Sequence, residues 1–106
     1  MTSRVKYETR IQNHYKNFLD SWGYDAQAMM AIEEMSELTK EICKRHRKRA
    51  NYKEEDMIEE IADVLNMVEQ LEYFFGEDKV EAVRDKKIER TLKRLSEWKE
   101  KQSKGE

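Results

Sequence analysis

The sequence has no proline, three glycines and one cysteine in 106 residues. Without proline nothing interrupts a long helix, and with so little glycine there are few places for tight turns. The lone cysteine, Cys43, has no partner for an intramolecular disulfide, which suits a reducing compartment. No apolar run approaches the ~20 residues a membrane span needs, and no secretory leader is apparent. A cytoplasmic protein without a membrane partner is the expectation. A net charge of -2 argues against a stable nucleic-acid complex. What is abundant is charge, at 42% of residues against 38% apolar. Glu, Lys, Leu, Met and Ala dominate, so the fold expected is all-α. So charged a chain makes a thin core, and assembly with copies of itself, as a homodimer or homotetramer, is expected.

Apolar residues at steps of three and four lay out four helices within one domain, residues 1–106, with its core over 5–99. The first spans Val5 to Trp22, with Tyr7, Ile11, His14, Tyr15, Phe18 and Trp22 on one stripe, and Gly23 ends it. The second, capped by Asp25, runs to about Arg47 along Ala28, Ile32, Met35, Thr39, Ile42, Cys43 and His46. Asn51 and Glu54 resemble a capping box opening the third, whose stripe is Met57, Ile61, Val64, Val68, Leu71 and Phe75. Gly76 stops it, Asp78 with Glu81 reads as the cap of the fourth, and the tail from Lys101 is expected to fray. Short connections between long helices predict an up-and-down four-helix bundle.

Two acidic phrases stand out, Glu33-Glu34-Met35-Ser36-Glu37 and Glu60-Ile61-Ala62-Asp63. Carboxylates three residues apart share nearly one helix face. On antiparallel helices, Glu34, Glu37, Glu60 and Asp63 would converge. Such a group must take up protons or a hard cation, most simply Mg²⁺. Glu60 falls inside the apolar arc of its helix beside Val64, Met67 and Leu71, where an unpaired carboxylate is costly. Asn66 follows Asp63 by a turn as a neutral oxygen donor, while Glu41, Glu55 and Glu59 read as solvated. Arg84, Lys87, Arg90 and Arg94 form a cationic stripe on the last helix. Acids holding Mg²⁺ opposite Lys/Arg donors is the division of labour that phosphoryl chemistry needs.

The ordered set Glu33-Glu34-x-x-Glu37, Glu60-x-x-Asp63, the following Asp-Val-Leu-Asn-Met and Lys87-Ile88-Glu89-Arg90 resembles the all-α nucleoside triphosphate pyrophosphohydrolases of the MazG type. The likeness covers about Met29 to Leu95 and leaves the first helix unmatched. It implies a MazG-like bundle, assembled as a dimer or tetramer, that hydrolyses a nucleoside triphosphate to the monophosphate and pyrophosphate for nucleotide-pool house-cleaning. It further implies Mg²⁺, or Mn²⁺ in its place, held by Glu34, Glu37, Glu60 and Asp63. Four acids are more than one Mg²⁺ uses, so two or more ions are expected. Glu33, with Glu37, is the expected catalytic residue, orienting or deprotonating water. Lys87, Arg90 and Asn66 are the expected phosphate-side residues.

Trp22, Gln27 and His14 are candidates for base recognition, against a plain reading in which the aromatics are core and His14 a satisfied core histidine. The methionines and Cys43 read as packing, and the run Lys44-Arg45-His46-Arg47-Lys48-Arg49 as a solvated helix end matched to the dipole. A di-iron bundle is disfavoured, because neither histidine follows a Glu by three residues. A non-enzymatic interaction bundle, a nucleic-acid adaptor using the basic run, or a MazG-like chain without activity are the alternatives.

Overall fold

In a computed structural model of the chain, residues 2–105 are described, and every regular element among them is helical. The elements are α1 (Ser3–Arg10), a π-helical turn (Ile11–Tyr15), α2 (Lys16–Trp22), α3 (Tyr24–His46), α4 (Glu54–Phe75) and α5 (Glu77–Ser103). They form two compact units, Met1–Phe74 and Phe75–Glu106. No helix among the described residues is long and apolar enough to cross a membrane.

α1 starts two residues earlier than its apolar stripe suggests, because the Thr2 hydroxyl accepts from the Val5 N–H at 3.2 Å and caps the helix. The junctions at Arg10 and Tyr15 keep right-handed helical dihedrals, so α1, the π turn and α2 run on as one rod. The wider π winding has a consequence. Arg10 and Tyr15, five residues apart, both reach the Glu69 carboxylate on α4, in the way i→i+5 geometry allows. Arg10 grips it through two nitrogens, Nε at 2.7 Å, and the Tyr15 hydroxyl donates at 2.8 Å.

Gly23 ends α2 and begins α3 in a single residue, at φ 85° and ψ 161°, which a side chain would strain. Asp25 is therefore in the first turn of α3 instead of capping it. Likewise Gly76 stands at the cap of α5, Asp78 lies inside its first turn, and the helix continues through Lys101 to Ser103. α4 opens at Glu54, beyond Asn51.

Contacts between α3 and α4 fix their direction. Tyr24 stacks on Phe74 at 4.6 Å, Gln27 donates to Gln70 at 2.8 Å, and Glu34 meets Glu60 and Asp63. As one number rises the other falls, so the two helices are antiparallel. The buried residues of α3 are Gln27, Ala31 and Glu41, and those of α4 are Met67 and Gln70. This corrects the expected core. Ile32, Met35 and Ile42 on the expected stripe of α3, with Ile61, Val68 and Phe75 on that of α4, stand exposed, and Ile58 and Leu65 off the stripe are exposed as well. The inward faces of α3 and α4 carry Gln27, Glu41 and Gln70 beside Ala31 and Met67, while several larger apolar side chains stay open.

A carboxylate cluster between two antiparallel helices

Helical spacing puts Glu34 and Glu37 a turn apart on α3, and Glu60 and Asp63 a turn apart on α4. The antiparallel pairing brings one carboxylate oxygen from each of Glu34, Glu60 and Asp63 within 4.8 Å of one another, all three side chains half-buried. Glu37, expected in the same set, lies outside this tight group. Its carboxylate accepts from Lys40 at 3.2 Å, though its charge still acts on Glu34 and Glu60.

The electrostatics follow from that crowding. Burial pushes the Glu34 carboxyl above the usual range, and the negative charges of Asp63, Glu60 and Glu37 push the same way. Glu60 is raised by burial first, then by Asp63 and Glu37. One Glu60 oxygen is buried without a hydrogen-bond partner among the described residues. An orphaned anionic oxygen in a group of three acids fits a hard cation. Two oxygens across one Mg²⁺ stand about 4.2 Å apart, twice the ~2.1 Å bond. Neighbouring oxygens on the same octahedral ion stand about 3.0 Å apart, so three ligands on one Mg²⁺ need the side chains to draw together.

Glu41 corrects a reading made from sequence. Far from solvated, it is 7% exposed, with one oxygen accepting from Lys44 at 2.9 Å and the other buried without a partner among the described residues. Its position one turn beyond Glu37 and two beyond Glu34 was a legible signal, since that repeat stays on one face. Glu33 is exposed, a residue round from Glu34, and Asn66 is exposed one turn beyond Asp63. Lys87 and Arg90 stand exposed on α5 in the second unit.

The base-recognition candidates separate. His14, Phe18 and Trp22 stack in sequence, with ring centroids 6.0 and 5.6 Å apart, as i, i+4 neighbours do. This ladder is not core: His14 is exposed and Trp22 is 64% exposed. Gln27 is instead buried, its amide given to Gln70, whose own amide donates to the Met67 sulfur at 3.7 Å. Cys43 is half-buried and free, at the wall of a cleft, and not a core residue. Glu69, Arg10, Tyr15 and Gln70 had no sequence signal as partners, because side chains separated by more than forty residues meet only through packing.

Compared with known protein families, characterised proteins and solved structures, the chain matches none.

Proposed function

We propose that the chain is a Mg²⁺-dependent nucleoside triphosphate pyrophosphohydrolase of the MazG-like kind. The observation that carries this reading is the meeting of Glu34, Glu60 and Asp63 across antiparallel helices, with an orphaned Glu60 oxygen among them. Those three residues, joined by Glu37, would hold the metal. Bound there, Mg²⁺ would supply charge neutralisation for the phosphate chain and a lowered pKa for water. Glu33, exposed and next to Glu34 in the chain, would orient water or accept its proton. Lys87 and Arg90, one turn apart on α5, offer donors for phosphate oxygens. The exposed Trp22 face is a platform on which a base can stack, with His14 at the other end of the ladder.

The working form in this reading is a homo-oligomeric four-helix assembly. Ile32, Met35 and Ile42 repeat along one stripe of α3, as Ile58, Ile61, Leu65 and Val68 do along α4, and all are exposed. A second copy would cover apolar stripes that a single chain leaves open to water.

The test is a panel of ribo- and deoxynucleoside triphosphates with Mg²⁺, scored separately for pyrophosphate and orthophosphate. Pyrophosphate release, lost in Asp63→Asn and Glu37→Gln with the fold retained, supports the assignment. No turnover of any triphosphate, or orthophosphate as product, overturns it. A non-enzymatic bundle would show neither turnover nor a Mg²⁺-dependent rise in melting temperature.

A further inference from the structure

Glu41 is buried more deeply than any member of the Glu34, Glu60 and Asp63 group, all of which are half-buried. The inward face of α3 puts it there, since Gln27, Ala31, Glu34 and Glu41 follow one another at helical steps. The register with α4 says what it faces. Gln27 meets Gln70 and Glu34 meets Asp63, so seven residues forward on α3 match seven back on α4. The same step again sets Glu41 level with Asp56, about one turn from Glu60. The charges agree with that placement. Glu41 acts on Glu60, and Asp56 acts on Lys44, the partner of Glu41.

The chain serves this carboxylate on one side only. One Glu41 oxygen accepts from Lys44 at 2.9 Å, and the other is buried with no partner among the described residues. Lys44 is 32% exposed at its side chain against 10% for Glu41, so the ammonium comes from the solvent side and leaves the inner oxygen untouched. Glu60, about a turn away, carries a second buried oxygen in the same condition. Two such anionic oxygens on facing helices are costly unless something positive or protic reaches them. Neutral amides would join the helices at less cost, as Gln27 and Gln70 do further along the same pair.

We propose that Glu41 and Glu60 form a second divalent-cation position, about one turn along the helix pair from the Glu34, Glu60 and Asp63 group, with Lys44 as the competing cation that sets its affinity. The proposal rests on reading that group as a metal centre and adds a residue that lies outside both acidic phrases. Mg²⁺ and Mn²⁺ need few protein ligands, because one or two carboxylates suffice when water fills the other positions. Glu60, with two oxygens, serves both positions. Glu41 does not join the tight group of three among the described residues, so the second ion is the weaker. The Lys44 ammonium on Glu41 weakens it further by repelling an incoming dication.

The experiment counts Mn²⁺ bound to the full chain, with the free ion read by electron paramagnetic resonance and no nucleotide present. The wild type binds two ions per chain, one roughly tenfold more weakly than the other. Glu41→Gln keeps the side-chain shape and an acceptor for Lys44. It loses the weaker ion and holds the tighter one as the wild type does, with an unchanged helical spectrum. Lys44→Met leaves every acid in place and tightens the weaker ion about threefold, the weight of one part-exposed charge. Asp63→Asn loses the tighter ion. A wild type that binds one ion, kept in Glu41→Gln and lost in Asp63→Asn, overturns this proposal and leaves the first site standing. No Mn²⁺ bound at all overturns both. Two ions that survive Glu41→Gln, or a weaker ion indifferent to Lys44→Met, would make the Glu41 and Lys44 pair structural and overturn the second position alone.

Discussion

Tyr15→Phe tests the way the N-terminal rod is fastened to α4. The Tyr15 ring is 3% exposed and its hydroxyl has one acceptor in this network, the Glu69 carboxylate at 2.8 Å. Removing the hydroxyl leaves Glu69 still held by Arg10, so no orphaned charge is created. The cost is that of a hydrogen bond to a charged group in a site otherwise satisfied, about 1–2 kcal/mol. For a domain of this size that lowers Tm by about 5–10 °C. Glu69→Gln is worse, because it sets an amide donor against the Arg10 guanidinium. The Arg10 side chain is 40% exposed against 17% for Glu69, so water screens much of their attraction. With that screening, the loss for Glu69→Gln is roughly 2–3 kcal/mol rather than the 3–5 of a fully buried pair. The double variant loses less than the two single losses together, by about 1 kcal/mol, because both remove the same bond. Denaturant unfolding followed by circular dichroism reads all four corners of this cycle. A Tyr15→Phe chain within about 0.3 kcal/mol of wild type, or strict additivity at a distance where additivity is not expected, refutes the network. There is a pH arm as well. Burial first, then the hydrogen bond to Glu69 and the charge of that carboxylate, hold the Tyr15 phenol above its ordinary value. The folded chain keeps this proton longer than the unfolded one. Its contribution is complete below about pH 10 and is lost as pH rises beyond it, a slope that Tyr15→Phe flattens.

Mg²⁺ should raise Tm, by more near pH 8 than near pH 5, since protons and metal compete for the same oxygens. Glu34 and Glu60 are held above the usual carboxylate range. Their contribution to stability is therefore complete below about pH 4 and lost as pH rises through the folded values, leaving the metal-free chain strained at neutrality. Glu34→Gln should raise the metal-free Tm at neutral pH and reduce the Mg²⁺ response; an unchanged response counts against the metal site. Leu65→Glu replaces a 57%-exposed side chain and should barely touch the fold of one chain. It should weaken self-association at least tenfold in sedimentation, and an unshifted mass across the concentration series would remove the apolar stripe from any interface. Gly23→Ala meets nothing within 4 Å, so its cost is the backbone alone. At φ 85° and ψ 161°, backbone that essentially only glycine adopts, a Cβ costs about 1–3 kcal/mol, readable as a lower denaturant midpoint, and a neutral outcome would mean the α2–α3 turn rearranges freely.

Helix content was legible in this sequence because it is a local property. Glycines at 23 and 76, the absence of proline and the three-four spacing of apolar residues set where helices run. The candidate site was legible in part for the same reason: the steps Glu34 to Glu37 and Glu60 to Asp63 are repeats of the helix itself. Which face of each helix would turn inward was not. Apolar spacing marked Ile32, Met35 and Ile42 on α3, yet a single chain buries Gln27, Ala31 and Glu41. A stripe in sequence says that a face seeks a partner without saying whether that partner is in the same chain.

The sequence by itself determined the helices and the two acid pairs, because backbone hydrogen bonding and helical period act over a few residues. Only the tertiary structure decided that Glu34 meets Glu60 and Asp63 while Glu37 turns to Lys40. It alone decided that Glu41 is buried and that Tyr15 and Arg10 share one carboxylate. Those relations depend on the antiparallel register of α3 against α4 and on a π turn. They are set by packing between residues distant in the chain, where no short-range rule reaches.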